Sequence, residues 1–378
     1  MRANGVRRIA ILIDSLTGGG AEKVMMNLAG TLSAMGHEPH LIAMKKNVAY
    51  DLPNTYPIHF LHPTSDTKLK GWFSRSKHAK KLNQLIMLLE TKYGEFDGYI
   101  ANLEETYRIV SKSNLSPCLY VVHNSVNSAL SRTKKLGPIK YYYLRHTLGL
   151  LSDKHLISVS NGLEQEIANE TFIKPKSIKT IYNPFIKEEI GTLAHETNDA
   201  IPKEDYIIHV GRAARQKRMD VLFDAFSRVK ADIKLVCLCQ RVRKAKKLAK
   251  KYGVANRVIF PGFQKNPYPW IKNAKAMVLS SDYEGFASVL IESVICGTIP
   301  VSTLCPHGPS EIMTGDLAKY LAPIRSPEKL AEKIDLALLD EFQESYCEIV
   351  EKIDPEKSAE QYLSALESQA QKCGKNEK

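Results

Sequence analysis

Two glutamates eight residues apart, Glu284 and Glu292, bracket the stretch Glu-Gly-Phe-Ala-Ser-Val-Leu-Ile-Glu. An ionised carboxylate is a pure hydrogen-bond acceptor, so a pair flanking a pocket suits recognition of hydroxyl groups. Between them, Gly285 to Ser288 run into a helix whose first N–H groups would face an anion. A second cluster, His209-Val-Gly-Arg-Ala-Ala-Arg-Gln-Lys-Arg218, sets four cations within seven residues, after an apolar run and Gly211. Arg212 can chelate phosphate oxygens through two N–H groups, and Lys217 adds a point charge. A third is the glycine turn Gly18-Gly19-Gly20 ahead of Ala21-Glu22, where bare backbone can approach a ligand closely. Each also has a plainer reading. Helices routinely begin with Glu, a basic loop can simply be solvated, and a glycine turn can be only a turn.

The elements that carry these residues read as alternating strands and helices. Arg8–Asp14 is a buried strand, Ala21–Met35 an amphipathic helix with Val24, Leu28 and Leu32 on one face, and His40–Met44 a second strand. Gly98–Ala101, Cys118–His123 and His155–Val159 are further strands, so residues 1–185 form one Rossmann-like domain. Residues 186–204 are polar and acidic, as a linker would be. The same grammar restarts with Tyr206–Val210, a helix over Val221–Val229, and strands at Lys234–Leu238, Val258–Phe260, Ala276–Leu279 and Ile299–Ser302. This second Rossmann-like domain spans 205–340. Ser326-Pro-Glu and Asp354-Pro-Glu are helix starts, so 341–378 reads as closing helices that pack back toward the first domain. The fold class is α/β: two doubly wound domains facing across a cleft.

Length and composition agree. The 378 residues are 44% hydrophobic and 25% charged, which excludes a disordered chain or a disulfide miniature. Lys and Arg number 53 against 41 Asp and Glu, a net charge of +12, and residues 1–150 carry about +10 of it, which favours an anionic partner. The seven cysteines include no C-x-x-C pair and read as small buried hydrophobes in a reducing compartment. The N-terminal apolar run Ile9–Ile13 stops at Asp14, too short for a signal segment, and nothing later could span a membrane. The glycine turn is not G-x-G-x-x-G and has no acidic residue about twenty positions on, so an NAD enzyme ranks last.

The order of these motifs resembles retaining glycosyltransferases of family 4, with the GT-B fold, over nearly the whole chain. The carrying residues are Gly19-Gly20-Ala21-Glu22, Val210-Gly211-Arg212 with Lys217, and Glu284-Gly285-Phe286 with Glu292. Ile157-Ser-Val-Ser-Asn161, Tyr182-Asn-Pro184 and Phe260-Pro-Gly-Phe263 are similar to further family motifs. The resemblance implies that Glu292 accepts hydrogen bonds from a nucleotide ribose and Glu284 sits beside hydroxyls of the donor sugar. Arg212 and Lys217 would hold the diphosphate as it leaves. Backbone around Phe286, Ala287, Ser288 and Val289 would touch sugar and phosphates, and Gly262 and Phe263 would border the base. Gly19 and Gly20, with His123 at a strand end, would approach the sugar from the first domain. The donor would be a UDP-hexose or UDP-N-acetylhexosamine, with no other cofactor. The family's front-face departure needs little acid–base machinery. The absence of D-x-D leaves a metal-bridged diphosphate without an anchor, which implies a metal-independent hexosyltransferase. Two departures stand out: Arg218 replaces the Gly that commonly follows the lysine, and Leu238-Cys-Gln-Arg replaces a Gly-x-Gly.

The charge also suggests where the acceptor enters. Residues 68–81 mix six cations with Trp72 and Phe73, and 132–145 combine five with Tyr141-Tyr142-Tyr143. Cations beside interfacial aromatics suit an anionic leaflet. The expectation is a cytoplasmic protein, peripheral on the inner face of the cell membrane. Its acceptor would be a glycan or glycolipid, such as a lipopolysaccharide core or an undecaprenyl-diphosphate oligosaccharide. The alternatives are a solvated basic face, a GT-B enzyme that epimerises or hydrolyses a nucleotide sugar, and a nucleic-acid binder. The last lacks any recognisable motif, and no nucleic-acid partner is expected.

Overall fold

The structure is a computed structural model that describes residues 5–17, 19–49, 52–69, 71, 74–343 and 348–375. Gly18, Lys70, Trp72, Phe73 and Cys347 lie outside the described residues. The chain divides into two compact units, one of residues 1–185 and 353–378, the other of 186–352.

The first unit holds seven strands, β1 (Arg8–Ile13), β2 (Glu38–Ala43), β3 (Ile58–Phe60), β4 (Gly98–Asn102), β5 (Cys118–Val122), β6 (His155–Ser158) and β7 (Ser177–Thr180). They pair in parallel in the order β3-β2-β1-β4-β5-β6-β7. Parallel strands need covered faces, and β1, β4 and β5 are buried at every residue. Helices α1 (Gly20–Ala34), α2 (Ser74–Tyr93), α3 (Glu104–Val110), α4 (Val126–Lys134), α5 (Pro138–Gly149) and α6 (Asn161–Gln165) connect them. The helix α1 turns Val24, Leu28 and Leu32 inward, as the spacing predicts.

The second unit repeats the plan with β8 (Tyr206–Val210), β9 (Lys234–Leu238), β10 (Val258–Ile259), β11 (Ala276–Leu279), β12 (Ile299–Thr303) and β13 (Leu321–Ala322), parallel in the order β10-β9-β8-β11-β12-β13. Its helices are α7 (Lys187–Ala194), α8 (Met219–Arg228), α9 (Val242–Lys251), α10 (Tyr268–Lys272), α11 (Ser288–Ile295), α12 (Pro309–Ile312), α13 (Pro327–Leu339) and α14 (Glu348–Lys352). The stretch 186–204, read from composition as a linker, therefore begins with a helix. Ile190 and Ala194 of α7 are buried, and Asn266 next to α10 donates to Leu193 O at 2.9 Å. A last helix, α15 (Pro355–Lys375), belongs to the first unit, where Leu366 packs over Gly98 so tightly that a Cβ there would lie 2.8 Å from it.

Both sheets have the doubly wound order that reverses beside the first strand, between β1 and β4 and again between β8 and β11. Ligands of such sheets bind at the carboxyl ends of the strands flanking that reversal. The candidate residues follow β1, β5, β8 and β11, with Gly262 and Phe263 after the edge strand β10. The five cysteines whose side chains are described are free and buried. Among the described residues no helix is long and apolar enough to cross a membrane.

Candidate active site

In the second unit the site is made by loops that leave β8, β11 and β12. After β8 the chain turns at Gly211 and closes a short helical turn at Arg215–Lys217. The loop after β11 is stitched to it through the backbone. Asp282 N donates to Gln216 O at 2.9 Å, Gln216 Nε2 to Tyr283 O at 2.6 Å, and Ser280 Oγ to Lys217 O at 2.8 Å. That zipper brings Lys217 Nζ to 2.8 Å from Glu284 Oε1, with both side chains more than four-fifths buried.

Two of the loop's four cations, Lys217 and Arg218, are paired with carboxylates. Arg218 is held by carboxylates: its guanidinium donates to Asp220 at 2.7 Å and to both oxygens of Asp282 at 3.1 Å. Arg325 grips the far side of Asp282 at 3.0 Å. The hydrogen bonds to Asp220 come first among the causes that raise Arg218 above its usual range. Arg218 also has φ 45° and ψ 51°, the left-handed region that favours glycine, so its departure from the family pattern costs backbone strain of about 1 kcal/mol. Its ion pairs offset that cost. Arg212 and Arg215 are exposed, and Lys217 pairs with Glu284.

The third loop fixes the other side of Glu284, whose N–H donates to Pro306 O at 3.2 Å. Gly308 has φ +82°, and a Cβ there would lie 2.8 Å from the carbonyl carbon of Phe286. Phe286, Ala287 and Val289 are buried, Ser288 is half-buried, and Ala287 enters α11 with φ 51°. One turn into α11, Glu292 accepts a hydrogen bond at 3.2 Å from the hydroxyl of Tyr268, a buried residue of α10. Gly262 has φ +91° and Phe263 next to it is exposed.

Beneath the loops lies His209, fully buried in β8. Its Nδ1–H donates to Val278 O at 2.9 Å, which leaves Nε2 as a bare acceptor without a partner. A Cβ on Gly211 would lie 3.4 Å from that Nε2 and 3.5 Å from the Lys217 side chain. Burial lowers His209 to about 4, so the ring is neutral near pH 7.

In the first unit, Gly19 caps α1 in extended conformation and Gly20 opens the helix. A Cβ on Gly20 would meet nothing within 4 Å. His123 follows β5 and sits beside Asn102 at the end of β4. Asn102, fully buried, donates through Nδ2 to Leu12 O and Ile100 O at 3.2 Å each, so its Oδ1 must accept. The His123 Nε2–H therefore donates to it at 2.9 Å, leaving Nδ1 unprotonated, and burial lowers the ring to about 4. Asp14, ending β1, accepts from Thr106 N and Oγ1 at 2.7 Å and from Glu105 N at 3.3 Å. Burial pushes its carboxyl up to about 7 against those donors.

Sequence reasoning did not single out Tyr268, Asn102, Gly308 or the Arg218–Asp282 pair. Each acts on a residue 20 to 70 positions away, so only the strand order reveals the partnership. Of the two basic–aromatic segments, Lys70, Trp72 and Phe73 are among the residues not described. The other segment runs from the end of α4 through a short turn into α5, on which Ile139 is 84% and Tyr142 65% exposed. Tyr143 instead packs its ring under Arg108, 4.8 Å away.

Comparison with known proteins matches both units. Residues 18–188 match the model of Glycosyltransferase Family 4, and residues 193–375 that of Glycosyl transferases group 1. Among curated relatives, the N-acetylgalactosamine-N,N'-diacetylbacillosaminyl-diphospho-undecaprenol 4-alpha-N-acetylgalactosaminyltransferase of Campylobacter jejuni is 29% identical over 348 residues, 89% of this chain and 91% of that one. The lipopolysaccharide 1,6-galactosyltransferase of Escherichia coli is 23% identical over 326 residues, 83% of this chain and 84% of that one. Among solved structures, Anabaena HepE in complex with UDP and glucose superposes with a TM-score of 0.72 at 16% identity, covering 96% of this chain and 100% of that one. With doubly wound sheets in both units and family matches over both, the chain is a glycosyltransferase of the GT-B fold, a family 4 domain followed by a group 1 domain.

Proposed function

We propose that this chain transfers a hexose or N-acetylhexosamine from a nucleotide sugar, UDP-linked, to a hydroxyl of a lipid-linked or surface-glycan acceptor, with retention at the anomeric carbon. The observation that carries the reading is the set of Lys217, Glu284 and Glu292 at the carboxyl ends of β8 and β11. The donor would draw Lys217 and Arg212 onto its diphosphate, release Glu284 toward sugar hydroxyls, and place its ribose on Glu292. As the sugar–phosphate bond breaks, the two cations stabilise the departing diphosphate. The acceptor hydroxyl attacks from the same face and its proton passes to a phosphate oxygen. In such a step, fixed charge aimed at the leaving group commonly lowers the barrier more than any other single effect. We read transfer as metal-independent, with Arg212 and Lys217 supplying the positive charge, so chelators should leave the rate unchanged.

In the first unit, Gly20 has room for a side chain and lacks one, as a close ligand approach would require. The relatives support this acceptor class, since their names specify a diphospho-undecaprenol oligosaccharide and a lipopolysaccharide. Contact with a membrane fits the exposed Leu136, Ile139 and Tyr142 among Arg132, Lys134, Lys135 and Lys140, an apolar turn inside a basic rim. Flotation with phosphatidylglycerol vesicles tests that contact, and absence of binding at low salt would remove it. Calorimetry against UDP- and GDP-sugars tests the donor site. One nucleotide sugar should bind, and Glu292→Ala should abolish its binding. A variant that binds as the wild type does would overturn the assignment.

A further inference from the structure

The first unit has a second cluster of functional side chains, away from the glycine turn and His123, which the reading above does not use. His62 follows β3 and is anchored by its backbone, with His62 N donating to Met44 O at 3.2 Å and Lys46 N to His62 O at 2.9 Å. His78 is buried in the first half of α2. An ammonium can only donate, so the contact of Lys81 Nζ with His62 Nδ1 at 3.3 Å makes that nitrogen the acceptor. His62 Nε2 must then carry the proton and donate to His78 Nδ1 at 2.9 Å. Both rings are therefore neutral, and Lys81 leans on an uncharged imidazole instead of a carboxylate.

These side chains line an open cleft of about 550 Å³ together with Lys77 and Lys80, and no described lining residue is acidic. Among the described residues none of the three lysines has a carboxylate partner. Lys77 and Lys81 stand four apart on one helix, a like-charge spacing that weakens a helix unless an anion lies between. A purely solvated basic face would have no reason to set a half-buried and a buried imidazole, hydrogen-bonded to each other, under its lysines. We propose that this cleft binds a phosphate or diphosphate group, with Lys77, Lys80 and Lys81 supplying charge and the His62–His78 pair beneath them holding Lys81 in place. Burial, then the lysine charges, hold His62 at about 4, and burial likewise lowers His78. The charges facing the pair are Lys77 and Lys81 from α2 and Arg108 from α3, the last already engaged by Glu105 at 2.8 Å. A bound dianion would outweigh them and raise both rings. The inference deepens the functional reading by giving the acceptor's phosphate a seat. It rests on that reading only for the identity of the natural ligand.

The test is imidazole NMR on the full chain saturated with UDP, with the His62 and His78 signals assigned through His62→Gln and His78→Gln. Inorganic pyrophosphate should shift both signals, more strongly at pH 6 than at pH 8. In Lys77→Gln/Lys81→Gln, two exposed substitutions, the apparent affinity should fall at least tenfold. Glu292→Ala should leave the shifts unchanged, so failure of the donor site and failure of this one are read separately. Geranyl diphosphate acting like pyrophosphate would assign the ligand to a lipid-borne diphosphate, and pyrophosphate acting alone would assign it to a free one. Either supports a phosphate site. Signals that respond only to phosphatidylglycerol vesicles would instead mark a membrane-facing surface and overturn the proposal. So would signals that pyrophosphate leaves unmoved, or a double variant with undiminished affinity.

Discussion

The two units carry their candidate groups at equivalent places in the same topology, yet hold them by different means. In the second unit, four loops grip one another: Lys217 on Glu284, Arg218 and Arg325 on Asp282, and the backbone of Gly308 under that of Phe286. In the first, a Cβ at Gly20 would touch nothing, one at Gly19 would meet the Glu22 carboxylate, and His123 leans on one buried asparagine. The contrast is one of pairing: in the second unit a ligand that takes Lys217 must first break its ion pair with Glu284, whereas at Gly20 it would displace no side chain. Gly20 reads as space kept open.

The largest expected effect breaks the charged side of this comparison. Lys217→Ala should lower kcat by a factor of about 10² to 10³, about 2.7–4 kcal/mol, as loss of one transition-state donor does elsewhere. Steady-state kinetics with saturating donor would show it, and a change confined to KM would mean that Lys217 serves binding alone.

Acid should weaken the same unit through His209. Its folded value of about 4 lies below the unfolded 6.5, so the unfolded chain binds more protons between those limits and stability falls as pH drops through that window. Near pH 4 the loss from this group approaches about 3 kcal/mol. Denaturant titrations from pH 7 to 4 should show a smaller loss in His209→Gln, and identical slopes would contradict the assignment.

Two glycine substitutions sharpen the contrast between the units. Gly308→Ala places a Cβ against the Phe286 backbone at φ +82° and should cost about 1–3 kcal/mol, seen as a lowered Tm together with lost activity. Gly20→Ala should leave Tm unchanged or slightly raised, since alanine is the better helix former by about 1 kcal/mol and meets nothing. If donor affinity nevertheless falls in Gly20→Ala, the glycine is there for a ligand. If it does not, the open turn has no part in donor binding.

How much of this was readable beforehand follows from the range of the forces involved. The central strands were legible because β1, β5, β8 and β11 are apolar runs buried on both faces. The edges β3, β7 and β13 were not, because two to four half-covered residues leave no periodic signal. The helix α7 hid in a polar stretch because only Ile190 and Ala194 are buried. Glu284, Glu292, Arg212 and Lys217 stood out by spacing within one segment each. Asn102 and Tyr268 did not, because an ordinary strand end and an ordinary aromatic become supports only when the sheet order sets them beside His123 and Glu292. Arg218 looked like one more cation in a basic loop, and the carboxylates that claim it lie partly 64 residues away.

The most direct test of the central claim is a transfer assay with a panel of nucleotide sugars and a lipid-diphosphate oligosaccharide acceptor, run on the wild type and Glu292→Ala and read by product mass and anomeric coupling. One donor should be consumed, its sugar should appear on the acceptor with retained configuration, and Glu292→Ala should lose at least tenfold in donor affinity. Sugar released to water or epimerised while acceptor is present, or a Glu292→Ala enzyme with unchanged affinity and rate, would contradict that claim.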